Sequence, residues 1–280
     1  MAATYRVIGP RVRRRRNPLG RWYRRNERLV LSVSGVVAFF AFWQIGSDLG
    51  FIDRFFFSSP RAVAAAGAAE VQVPRFWNDV RISALELGIG SLLAVACAVP
   101  LGLAIGWYRR ASLAADPWLN FTNALPRAAL VPLVVLWVGL GFEMKTLIVF
   151  LGGFFSVIMP TVEGVRTVER QFLDVARSFR ARDRLIFRSI VLPGTVPFIV
   201  SGVRLAVGRV LAGVIIAEFY AQTDGIGVMI AKAAASLQSD RMLFGVLVFT
   251  FAGILLYEAV GALERHFQRW RPSLDLEEAA

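Results

Sequence analysis

The sequence predicts an all-α integral membrane protein with about six transmembrane helices, and three observations carry that expectation. Of 280 residues, 56% are apolar and the mean hydropathy is +0.56, where soluble domains hold an apolar share of about 45–50%. The excess is gathered into runs such as Leu29–Gly50 and Met242–Leu263, as long as the roughly 20 residues that span a bilayer. A soluble helical core would need a polar face recurring every few residues, and these runs lack one. The third observation is the uneven distribution of arginine between the connections.

The elements follow in order. Residues 1–28 form a basic tail with ten arginines, including the run Arg13–Arg16. Such a tail suits anionic lipid headgroups at about 1 kcal/mol per residue. The first span is expected at 29–50, too long for the apolar segment of a cleaved leader, and so should remain as an anchor. FIDRFFFSSPRAVAAAGAAE then reads as an outward loop with interfacial aromatics and a short surface helix. The second span is expected at 84–108. The third, within 124–142, is interrupted by Pro126 and Pro132, which a helix bundle tolerates. Gly139, Gly141, Glu143 and Lys145 leave a very short turn before the fourth, at 146–162. A long loop (163–196) leads to the fifth at 197–218, and the sixth at 242–263 precedes a tail, 264–280. The membrane domain is thus 29–263, with no tandem repeat.

Twenty-three of the 32 basic residues fall on the side that holds the tails, the second connection and the fourth. Seven, Arg54, Arg61, Arg75, Arg81, Lys145, Lys232 and Arg241, fall on the other. Positive charge stays cytoplasmic, so both termini are expected inside, in agreement with an even number of spans. The net charge of +12 is therefore topological, and nucleic acid is not an expected partner. A single cysteine, Cys97, excludes an intrachain disulfide and a cysteine metal cluster. The sole histidine, His266, beside Arg265 and Arg269, reads as a solvated tail residue. No phosphate-cradling G-x-x-x-x-G-K-[ST], no H-E-x-x-H and no G-x-S-x-G occurs. The chain is expected not to be an enzyme and to bind no cofactor or metal itself.

One stretch, LDVARSFRARDRLIFRSIVLP (173–193), interrupts this greasy pattern with five arginines. Val175, Phe179, Ile186 and Ile190 recur at helical spacing on one face, and Arg177, Arg180, Arg184 and Arg188 on another. Asp174 favours a helix start, and Pro193, Gly194 and Pro197 a stop. The pattern fits a helix lying on the inner leaflet, plain retention charges, or a helix whose apolar face enters a partner's groove.

The stretch resembles the cytoplasmic loop of the permeases of binding-protein-dependent ABC importers. Their pattern is E-A-A, three residues, G, nine residues, I-x-L-P. Here it is met by Asp174-Val175-Ala176, then Arg180, then Ile190-Val191-Leu192-Pro193. Asp174 replaces Glu, and Arg180 replaces Gly. A glycine at a helix break supplies a positive φ, which costs other residues roughly 1–2 kcal/mol. Either the break is made differently here, or the loop is strained. Asn123–Lys145, Ser201–Ile230 and FFFSSPRAV resemble the nitrate, sulfonate and taurine branch, so the likeness runs from about Leu29 to Leu263.

The resemblance implies a type I importer permease in a bacterial-type inner membrane. It implies a second copy of the chain as a homodimer, two cytoplasmic ABC ATPase subunits that hold ATP and Mg, and an extracytoplasmic binding protein. Asp174, Val175, Ala176, Phe179, Arg180, Ile190, Leu192 and Pro193 would form the ATPase contact. The solute would be an oxyanion or sulfonate such as nitrate, taurine or an alkanesulfonate, or, in the same branch, a thiamine precursor. Two rivals come from other classes. An ion-driven secondary transporter should show two related halves with broken helices, and none is found. A membrane scaffold would only bind lipid through its basic helix.

Ionisable residues within spans are costly and point to function. Arg209 lies roughly 18 Å and Arg204 about 10 Å along the fifth span. Five positions apart, they point about 140° from one another. Arg209 is the candidate for attracting an anion, against a buried structural arginine; Arg204, which matches an arginine common in that branch, reads as structural. Glu218, near the outer end, would meet the binding protein, form part of an outer gate, or be an interfacial carboxylate. Gly225 and Gly227 allow a tight turn there.

Overall fold

The computed structural model describes residues 18–267, so the arginine run Arg13–Arg16, the His266 side chain and the chain beyond Phe267 lie outside the described residues. The chain divides into two units, residues 1–61 and 62–280.

In the first unit, α1 (Pro18–Asp48) kinks at Asn26, and its stretch Asn26–Asp48 is long and apolar enough to cross a membrane. Its end is fixed by charge: the Arg54 guanidinium lies 2.5 Å from Asp48 and donates to the Ser47 carbonyl at 3.1 Å. Asp53 caps the single turn α2 (Arg54–Phe57), its carboxylate accepting from the Phe55 N–H.

The second unit holds α3 (Pro60–Glu70) from Ala62 onward, α4 (Pro74–Trp107), α5 (Arg109–Ala124), a 3-10 turn (Arg127–Leu130), α6 (Val131–Val138) and α7 (Phe142–Arg166). It continues with α8 (Arg170–Ser178), α9 (Asp183–Ile186), a π turn (Phe187–Val191), α10 (Leu192–Ala221), α11 (Ile226–Ala235) and α12 (Ser239–Phe267). Glycines set the register. Gly90, Gly102 and Gly106 of α4 lie in turn against Val149, Thr161 and Val165 of α7, so these helices run parallel. Gly152 and Gly213 bring α7 and α10 together in the opposite sense, with Gly152 against Arg209 and Gly213 against Val149. The α10 helix runs antiparallel to α12, with Leu211 against Gly253 and Arg204 against Glu264. A core of Phe76, Val149, Val210, Val214, Ile226, Met229 and Phe249 joins α4, α7, α10, α11 and α12.

Five helices among the described residues are long and apolar enough to cross a membrane, and the expected third span is not one of them. Leu125 is extended (φ −68, ψ 130), because the ring of Pro126 disfavours a helical residue before it. The segment is therefore split into the amphipathic α5 and the short apolar stretch Ala128–Val138, which rises about 16 Å. Even so, it must make the return crossing. The α4 and α7 helices are parallel, and from Gly90 to Gly106 their contact rises about 24 Å, so the chain between them runs back along that length.

Three other boundaries differ from expectation. The α4 helix starts at Pro74 rather than near Ala84, adding polar turns that carry Asp79 and Ser83. The α7 helix starts at Phe142, so Lys145 lies inside it rather than in a turn, and is buried. Pro193 does not stop a helix: α9, the π turn and α10 are continuous from Asp183 to Ala221. In the π turn the Leu192 N–H donates to the Phe187 carbonyl. Such a wider turn relieves the clash a proline ring makes with the carbonyl four residues earlier.

Candidate functional site

The 163–196 loop is an exposed helix on an anchored stem. The stem is fixed by Ile186 and Val191, 2% and 1% exposed, and by Phe187 packed edge-on against Trp107 at the end of α4. Ile190, Leu192 and Pro193 are half-buried in it. Beyond the stem, α8 presents Phe172, Val175 and Phe179 at 55%, 58% and 83% exposure. Spaced 3 and 4 apart, they form one apolar stripe. The single face expected to join Val175 and Phe179 to Ile186 and Ile190 does not exist, since the helix breaks at Phe179–Arg182 and sends the two pairs to different places. Asp174 lies mid-helix rather than at its start, paired loosely with Arg177 at 3.8 Å.

The break is the place where the sequence departs from the pattern. Arg180 has φ +53, the left-handed conformation that glycine would supply. Its N–H donates to the Arg177 carbonyl at 2.8 Å, and that of Ala181 to the Ala176 carbonyl at 3.1 Å. These two bonds make a Schellman motif that satisfies the carbonyls at the end of α8. The bend expected with glycine is thus kept, and Arg180 carries the strain. Arg180→Gly removes a cost of about 1–2 kcal/mol and adds back about 0.5–1 kcal/mol of chain entropy. We expect slower hydrogen exchange at Arg180 and Ala181 by a few-fold; unchanged or faster exchange would contradict the strain.

Of the in-span arginines, Arg204 pairs with Glu264 at 2.6 Å and lies 4.3 Å over the Tyr257 ring. It ties α10 to α12. Arg209 is different. It is exposed, and it donates to the Ser156 hydroxyl of α7 at 3.3 Å.

Glu218 is not the exposed carboxylate that its place near a helix end suggested: it is 0% exposed. Its carboxylate accepts from the Ser83 hydroxyl at 2.5 Å and from the Gly227 N–H at 2.5 Å. The Ser83 hydroxyl in turn accepts from the Ile226 N–H, and the Asp79 carboxylate from the Gly225 N–H. Three side chains thus hold the start of α11, where free N–H groups and the helix dipole favour negative charge. Gly225 has φ +123, and a Cβ there would run into the Glu218 carboxylate. Beside this cap Lys145, 2% exposed, pairs with Glu86 at 2.5 Å and donates to the Asp224 carbonyl at 3.0 Å. This cluster lies roughly 13 Å of helix rise from Arg209, so the two are separate sites.

The sequence reading missed Asp79, Ser83, Glu86 and the burial of Lys145. The signal available was Glu86, an acid close to the start of an apolar run, to which the rule that singles out Arg204 and Arg209 also applies. Its partner could not have been found, because only the fold brings α4 and α7 into parallel register.

Residues 98–271 match the model of a family described as binding-protein-dependent transport system inner membrane component. The putative aliphatic sulfonates transport permease protein SsuC of Bacillus subtilis (strain 168) is 28% identical over 235 residues, covering 84% of this chain and 85% of that protein. Its namesake in Escherichia coli (strain K12) is 30% identical over 262 residues, covering 94% and 98%. Among solved structures, an inward-facing MetNI methionine ABC transporter chain superposes with a TM-score of 0.58 over 69% of this chain and 95% of that one. At 13% identity that likeness is one of fold.

Proposed function

Because the chain belongs to the family of binding-protein-dependent transport system inner membrane components, we propose that this ABC-importer permease carries aliphatic sulfonates. The permease is a non-enzymatic, multi-pass inner-membrane subunit. Its solute is inferred from the sulfonate permeases that match it over most of their length, whereas the methionine transporter shares only the fold. Two copies of the chain enclose the pathway, a binding protein delivers the solute from outside, and both termini are cytoplasmic. ATP and Mg belong to two ATPase subunits that dock on α8, so Asp174, Val175, Ala176, Phe179 and Arg180 meet them, while Ile190, Leu192 and Pro193 carry the movement into α10.

The observation that carries this reading is the apolar stripe of α8, left bare on a rigid stem. A helix lying on lipid needs no such stem. A helix that transmits the closing of an ATPase pair does, because force must pass from α8 through the π turn into α10. The test is uptake by proteoliposomes holding the permease, its ATPase and its binding protein. Labelled taurine or an alkanesulfonate should accumulate only with ATP inside, and nitrate or a thiamine precursor should not compete. Uptake driven by an ion gradient without ATP would favour a secondary transporter, and lipid binding without transport a scaffold.

A further inference from the structure

Three cations of α7 and α10, Lys145, Arg204 and Arg209, are not equivalent. Lys145 is matched by Glu86 and Arg204 by Glu264. Among the described residues, Arg209 faces no carboxylate; its contact is one long hydrogen bond to Ser156. It stands on the open side of α10 with Leu205, Gly208 and Ala212, while Ala206, Val207, Val210 and Gly213 turn into the core. A Cβ placed on Gly208 would meet nothing within 4 Å, so this side of α10 is open at the level of the Arg209 backbone.

An unneutralised arginine is costly at the centre of a lipid-facing helix, at about 2.5–3.5 kcal/mol on insertion scales. The open side of α10 is therefore a face turned to water or to another chain. The position is also rigid. Gly152 lets the backbone at Arg209 press directly onto α7, and the Ser156 hydroxyl is itself fixed by donating to the Gly152 carbonyl at 2.7 Å. Ser156 thus offers Arg209 an acceptor in one direction only, and takes up one of the five guanidinium N–H groups. The rest remain for a ligand.

We propose that Arg209, held in place by Ser156, is the anion-selecting group of the translocation pathway, receiving the sulfonate head of the passing solute. The inference rests on the sulfonate reading of the proposed function and deepens it. A sulfonate carries one negative charge spread over three oxygens, and the planar guanidinium fork can meet two of them at once. No carboxylate competes with the solute for the charge, so a neutral or cationic solute gains nothing there. The weak hold of Ser156 suits transport, because a solute must be released as well as received.

The test uses the complete importer in proteoliposomes, with a labelled alkanesulfonate delivered by its binding protein. Arg209→Gln should lower uptake at least tenfold, with ATPase activity stimulated by the binding protein kept within about twofold. Arg209→Lys, which keeps the charge but not the fork, should retain an intermediate rate, and Ser156→Ala should lose a few-fold. Equal uptake by wild type and Arg209→Gln would overturn this inference alone and leave the sulfonate reading standing. Failure of both the Gln and Lys variants to assemble with the ATPase would overturn it in favour of a structural arginine. A wild-type importer that moves a neutral or cationic solute and no sulfonate would overturn both readings.

Discussion

Lys145→Met is expected to destabilise the permease by about 3–5 kcal/mol, the usual cost of removing one partner of a buried ion pair. The substitution preserves much of the side-chain volume and creates no large cavity, so the effect comes from what is left behind. Glu86 is 0% exposed, and without Lys145 it stands in a cluster that already holds Asp79 and Glu218. The Asp224 carbonyl also loses the ammonium that donates to it at 3.0 Å, which loosens the turn between α10 and α11. Thermal unfolding in detergent would show the loss as a lower midpoint. The decisive comparison is the double variant Lys145→Met with Glu86→Gln, which removes the stranded charge and should recover most of the loss. If the double variant is no better than the single one, the cost is not electrostatic and the account of the cluster fails.

The same cluster shows where sequence reasoning reaches its limit. The spacing from Asp174 to Pro193 is local, so the motif, the break at Arg180 and the identity of the loop could all be read along the chain. That the break is kept with Arg180 at a positive φ could not be read, because the same sequence allowed the bend to be made elsewhere. The Schellman bonds at Arg177 and Ala176 outweigh the strain of the arginine. Apolar length found five of the six spans and failed at the third. There the effect of Pro126 on Leu125 breaks the helix, and the crossing is assured instead by the parallel packing of α4 and α7. Glu218 was found but misplaced: nearness to a helix end suggested exposure, whereas Ser83 and the start of α11, distant along the chain or folded back by Gly225, enclose it. Contacts that depend on register between helices leave no trace in periodicity.

Phe179→Asp should abolish coupling to the ATPase while leaving the permease folded. Phe179 is 83% exposed and contributes little to the chain's own packing, so its replacement should shift the unfolding midpoint by no more than surface substitutions do, about 0.5 kcal/mol. In a groove of the ATPase the same ring would contribute about 1.5–3 kcal/mol by burial, and an aspartate in its place would bring a charge to be desolvated. Together these should reduce recovery of the ATPase with the permease by at least tenfold, and ATP-driven uptake with it. Val175→Asp should act in the same way, since it shares the stripe, and combining Phe179→Asp with Asp174→Lys should deepen the loss. An importer that still recovers its ATPase in full after both changes would show that the stripe is not the docking surface, and α8 would then be left to lipid. The outcome turns on the geometry of the stem. Ile186 and Val191 are buried in the stem and the stem is continuous with α10, so on this reading a grip on Phe172, Val175 and Phe179 would pass through the stem into α10, the helix on which Arg209 stands.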